Sequence, residues 1–153
     1  MSSQLPSKTD IGAYPIASGL SLEWLYNGRV LIFTWTSINR ETIDAFAEAY
    51  RTLLSTWDAS EPFHQLNDLR FEGFNFTPYL RHAVQQVISE SLQRGVHGCV
   101  ANVVQPGLSM RVVQFFLHAL SFMPNNKAEL FTDYDKAVAW LVSQLEDEPQ
   151  SQR

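Results

Sequence analysis

Between residues 20 and 145 the chain alternates two periodicities that one backbone conformation cannot satisfy. Short runs crowded with Leu, Val, Ile, Phe and Trp recur at 20–26, 29–36, 63–69, 96–104 and 128–131, and apolar residues step by three and four in the stretches that follow. Side chains alternate faces every second residue in a strand and every 3.6 residues in a helix. The order therefore predicts β-β-α-β-α-β-α-β-α, an α/β fold. Strands joined through helices run parallel with right-handed crossovers. The expected scaffold is a mixed, mostly parallel sheet with four helices, to which an N-terminal β-hairpin adds one antiparallel strand.

Local signals place each element. Asn27-Gly28 supplies two residues that tolerate the positive φ of a type I′ hairpin turn. The strand after it, VLIFTW, is nearly all apolar instead of alternating, which suits a central strand covered on both faces. From the N-cap type Asn39, a helix carries Ile43, Phe46, Ala47, Tyr50, Leu53, Leu54 and Trp57 on one face, with Glu41, Asp44, Glu48 and Arg51 opposite. Thr77-Pro78 opens a second helix, with Leu80, Ala83, Val84, Val87 and Ile88 inward, and Gly95 ends it.

Ser109 caps an expected third helix reaching about Phe122. Its stripe of Leu108, Val112, Phe115, Ala119 and Phe122 is joined by Met110, Val113, Phe116, Leu117 and Leu120 around much of the remaining circumference. A helix so apolar is buried on two sides. The second cover is either another subunit or, within the chain, the N-terminal segment or the last helix. That last helix is capped by Thr132 or Asp133, with Asp135 placed for a capping box, and turns Tyr134, Ala137, Val138, Leu141, Val142 and Leu145 inward. Trp140 falls off this stripe and is expected at the sheet edge or over the N-terminal segment.

With 153 residues, 45% of them hydrophobic, the chain has enough apolar material for one core. The expected divisions are a partly flexible N-terminal extension at 1–19, the domain at 20–145 and a disordered tail at 146–153. The net charge of −5, with Lys and Arg scattered singly, offers no footprint for nucleic acid or an anionic membrane. The single cysteine, Cys99, has no partner for an internal disulfide, and no Cys or His spacing matches a zinc site, so neither a metal nor a cofactor is expected. No apolar run approaches the roughly 18 residues of a membrane span, and residues 1–19 lack the apolar segment of a signal peptide. A cytoplasmic location is expected.

Open α/β sheets bind ligands beyond the carboxyl ends of their parallel strands. That rule gathers Ser37, Asn39, Arg70, Thr77, Gln105, Ser109, Thr132 and Asp133 at one mouth. Arg70 carries the full positive charge there and suits either a bound carboxylate or phosphate or a salt bridge to a neighbouring acid. FEGFNF holds Phe71, Phe74 and Phe76 in six residues, as walls for a small apolar ligand or as a plug at one end of the sheet. His97 and Cys99, two apart on one expected strand, come nearest to a base and nucleophile. A thiol in mid-strand beside Val100, Val103 and Val104 is inert, however, so no enzyme is expected. His64 and Asp68, four apart on a strand, are too distant for a direct hydrogen bond. His82 and His118 fall on the polar sides of their helices.

The stretch ELFTDYDKAVAWL, residues 129–141, resembles the closing strand and helix of SpoIIAA-like, or STAS, domains, and the element order across about 20–145 is similar to theirs. The resemblance is to stand-alone bacterial members, some of which are compared with lipid-binding Sec14-like domains. It implies a non-catalytic interaction or regulatory module. In the antagonist branch of that family the strand before the second helix ends in Asp-Ser-Ser-Gly, and a serine there accepts phosphate. The matching stretch here, DLRFEGFNFTP, puts Thr77 at the acceptor position, with Phe76 before it and Pro78 and Tyr79 after it. Three functions follow as expectations. One is self-association, as a homodimer or with another protein, through Met110, Val113, Phe116, Leu117 and Leu120. The second is carriage or sensing of a small apolar ligand or lipid at Arg70, Phe71, Phe74, Phe76, Gln105 and Ser109. The third is a phosphorylation-dependent switch at Thr77.

Overall fold

The computed structural model of the chain describes residues 5–107, 114, 118 and 127–147. One six-stranded mixed sheet runs through them. Strands β1 (Tyr14–Ala17), β2 (Leu20–Leu25), β3 (Val30–Trp35), β4 (His64–Asp68), β5 (Cys99–Val103) and β6 (Lys127–Phe131) lie side by side in chain order. β1, β2 and β3 pair antiparallel, and β3 to β6 pair parallel. Among the described residues three helices can be given bounds: α1 (Arg40–Thr56), α2 (Pro78–Gln93) and α3 (Tyr134–Asp147). The helix expected over 109–122, with its proposed interface at Met110, Val113, Phe116, Leu117 and Leu120, lies outside the described residues. Gln114 and His118 are described, and both are helical and exposed.

β3 sits third of six, and its run VLIFTW is buried on both faces, as a central strand requires. Leu31, Phe33 and Trp35 join Leu20, Leu22 and Trp24 of β2 under α1 and α2. Val30 and Ile32 point the other way, to Leu66, Ala101, Val103 and the Ala137, Leu141 and Leu145 stripe of α3. The sheet thus has α1 and α2 on one face and α3 on the opposite one. Trp140 packs against Phe131 of edge strand β6 with ring centroids 5.7 Å apart and the rings tilted by 49°, so it covers the sheet edge.

The hairpin turn forms with Asn27 and Gly28 both at positive φ and the Arg29 N–H donating to the Tyr26 carbonyl. Tyr26 is also left-handed, at φ 54°, so regular pairing resumes only at Leu25 opposite Val30. The unexpected element is β1, inside the stretch read as an N-terminal extension. It gives the sheet a second antiparallel addition beyond the one expected. Pro15 removes a ladder donor, which is tolerated because β1 is an edge strand with a register shift between Pro15 and Ala17.

Helix ends follow the sequence closely. The Asn39 side chain accepts from the Thr42 N–H at 2.9 Å. The fully buried Thr42 hydroxyl has its one proton within reach of two acceptors, the Ser18 carbonyl at 2.7 Å and Asn39 Oδ1 at 2.8 Å, and the Ser18 bond fastens the β1–β2 turn to the start of α1. α2 closes in a Schellman arrangement: Val96 N–H reaches the Ser91 carbonyl, Gly95 N–H reaches Leu92, and Gly95 takes φ 70°. At α3, Asp133 and not Thr132 provides the cap, its carboxylate accepting from the Lys136 N–H at 3.2 Å.

Candidate functional site

The strand sequences HQLND and CVANV put amides where a buried sheet face should be apolar. In β4, Leu66 points to α3, so Gln65 and Asn67 on the alternate face point to α1 and α2. In β5, Asn102 lies directly beside Asn67 in register, and Val100 lies beside Gln65. All three amides are more than nine-tenths buried, at 6% exposure for Gln65, 9% for Asn67 and 5% for Asn102.

They line a cavity of about 90 Å³. The sheet contributes Trp35, Val100 and Ala128 beside the amides, α2 contributes Val84, Val87 and Ile88, and Tyr50 of α1 and Phe76 are also in its wall. Most of the wall's polar groups are engaged with one another. Trp35 Nε1–H donates to Asn67 Oδ1 at 3.4 Å, and Asn67 Nδ2–H donates to Asn102 Oδ1 at 3.2 Å. Gln65 Oε1 differs. Among the described residues it is the single buried side-chain oxygen or nitrogen without a hydrogen-bond partner. A buried acceptor left in that state costs about 1–3 kcal/mol, and native folds rarely keep one without a use.

Burial pushes the Tyr50 phenol up to about 12, against the lowering effect of its hydrogen bond with Ser91. Below about pH 10 the phenol is neutral in both native and unfolded chains. Between about pH 10 and 12 the unfolded chain gives up this proton while the native chain keeps it, so stability falls as pH rises. The expected loss is on the order of 2 kcal/mol by pH 12. Urea denaturation across that range should show a shallower alkaline decline for Tyr50→Phe than for the parent chain.

Of the residues named at the carboxyl-end mouth, Arg70, Gln105 and Thr132 come together, whereas Ser37, Asn39, Thr77 and Asp133 do not border the same depression. Thr34, Asp68, Arg70, Phe71, Gln105 and Thr132 border a broad depression of about 580 Å³. Arg70 is held by Asp68 in a two-pronged ion pair, Nε to Oδ1 and Nη2 to Oδ2 both at 2.9 Å, and its guanidinium lies 5.1 Å from the Tyr134 ring centre. Gln105 donates to the Arg70 carbonyl at 2.7 Å. The salt-bridge alternative for Arg70 is the one the structure adopts. Ser109 lies outside the described residues.

The three phenylalanines divide. Phe71, Phe74 and Phe76 contact one another edge to face, at 5.7 and 5.6 Å, and pack against the α1–α2 core, so they plug that end of the sheet. Phe76 alone of the three also lines the amide cavity. Thr77 is the N-cap of α2, its hydroxyl accepting from the Leu80 N–H at 3.1 Å. That bond is worth about 1 kcal/mol to the helix.

His97 and Cys99 do not share a strand, because β5 begins at Cys99, with His97 exposed and the thiol buried. The imidazole beside Cys99 is that of buried His64, whose Nδ1 accepts the Cys99 backbone N–H at 3.0 Å. The thiol itself lies 3.8 Å from Gln144 Oε1. Among the described residues no cluster of three or more His, Cys, Asp or Glu could hold a metal, and no helix is long and apolar enough to cross a membrane. Known protein families and curated proteins give no significant match to the chain.

Proposed function

We propose that the chain is a non-catalytic binding module that takes a compact molecule between α2 and the sheet. One observation carries the reading: three amide side chains sit on a sheet face that packing alone would make apolar, around a cavity, with one acceptor unused. Well-formed pockets combining apolar walls with a few convergent polar groups are the usual form of small-molecule sites. The resemblance of residues 129–141 to STAS domains supports the same class of activity, a module that responds to what it holds. The buried, backbone-committed surroundings of Cys99 and His64 support the absence of a catalytic role. Lipid carriage is not the form favoured here, because drug-sized ligands already occupy roughly 300–1,000 Å³.

Titration of the ¹⁵N-labelled chain with small neutral solutes at millimolar concentration tests the reading. Saturable shifts confined to the Trp35 indole and the Asn67 and Asn102 side-chain amides are expected. Shifts that are absent, or scattered over the exposed faces of α1 and α2, would refute it.

A further inference from the structure

We infer that the molecule held in this cavity is uncharged, is no larger than one small ring, and carries an N–H or O–H donor that meets Gln65 Oε1. The inference rests on the binding reading above and adds the chemistry of the occupant.

Size comes from the volume. About 90 Å³ is smaller than the roughly 150 Å³ cavity that accepts benzene in an engineered protein. Charge comes from the wall. No described residue lining the cavity is an acid or a base, and Tyr50 stays a neutral phenol at physiological pH. An ion entering would lose its hydration and meet no counter-charge from the described wall.

Polarity comes from what the wall leaves over. Trp35, Asn67 and Asn102 spend donors and acceptors on each other, and Tyr50 bonds Ser91. The Gln65 carbonyl oxygen, which can only accept, remains. A molecule with a donor completes it. One that only accepts leaves that oxygen unpaired. Water also donates, but a ring bearing an N–H supplies that hydrogen bond and adds apolar contact with Phe76, Val84 and Ile88.

Pyrrole and furan make a matched pair, alike in size and differing chiefly in the N–H. Binding of each is read from shifts of the Trp35 indole and the Asn67 and Asn102 amides and from the rise in melting temperature that a native-state ligand causes. The intact chain is expected to bind pyrrole about fivefold more tightly than furan, the middle of the range set by one neutral hydrogen bond. In Gln65→Met, which keeps the side-chain length and removes the acceptor, the two affinities should agree within about twofold. Equal binding by the intact chain would overturn the donor assignment while leaving the cavity as a binding site. Failure of both rings to bind would overturn the binding reading and this inference together. Should Gln65→Met not fold, the ratio measured on the intact chain decides alone.

Discussion

Replacing Gly98 by alanine is expected to destabilise the chain by about 3 kcal/mol or more, beyond the usual range for a single added methyl group. The reason is a backbone contact. A Cβ at Gly98 would stand 2.5 Å from the Phe63 carbonyl carbon and 2.9 Å from its nitrogen, and closer still to the carbonyl oxygen. No side-chain rotation relieves a clash with main chain. The approach cannot open without breaking the hydrogen bonds on either side, Phe63 N–H to the His97 carbonyl at 2.7 Å and Lys127 N–H to the Gly98 carbonyl at 3.3 Å. Those bonds align the starts of β4, β5 and β6, so the strain reaches three parallel strands and the floor of the cavity. Thermal denaturation checks it: a fall in melting temperature of roughly 6–12 °C corresponds to about 3 kcal/mol in a domain of this size. A shift under 2 °C would mean that the strands are not held this close.

Asn67→Ala is expected to cost about 2–4 kcal/mol, more than the loss of a small polar side chain suggests. Its amide serves two buried neighbours. Truncation strands the Trp35 indole N–H and the Asn102 carbonyl oxygen together, and each then bears its own desolvation penalty. The 3.4 Å indole bond is long for its type, so the Asn102 side should account for the larger share. A double-mutant cycle separates the parts. Asn67→Ala with Asn102→Ala should be less destabilised than the sum of the two single changes by about 1–2 kcal/mol, because the second truncation removes a group the first had orphaned. Strict additivity in urea denaturation would show that the two amides do not interact.

Much of the scaffold was legible because its signals are local. Asn39, Thr77 and Gly95 act through the backbone within a few residues, and the apolar steps of α1 and α2 fix their inward faces whatever lies beneath. VLIFTW announced a central strand by lacking a polar face. β1 was missed because Pro15 inside a four-residue run argues against a strand, and only the partner strand β2 explains why it pairs. Residue spacing also set His97 and Cys99 on one face, whereas the late start of β5 turns that geometry into a loop beside a strand.

The site was less legible for a physical reason. Mouths at carboxyl strand ends can be found from topology, which led to Arg70 and Gln105, but whether Arg70 is open depends on Asp68 two residues away folding back onto it. The amides were present as HQLND and CVANV. Their meaning lies in register, which sets Asn67 beside Asn102 and brings Gln65 under α2, and no single strand contains that information. A polar residue at alternate positions of an otherwise buried strand was the one available signal.

The stability of Gln65→Met tests the central claim most directly, since a side chain retained for binding and not for folding should be dispensable to the fold. Removing the unpartnered acceptor while keeping its shape is expected to raise the unfolding free energy by about 1 kcal/mol, as measured by urea denaturation at neutral pH. A loss of about 2 kcal/mol or more would contradict the account, because it would mean that the Gln65 amide is a satisfied structural group and that the cavity has no opening for a ligand to complete.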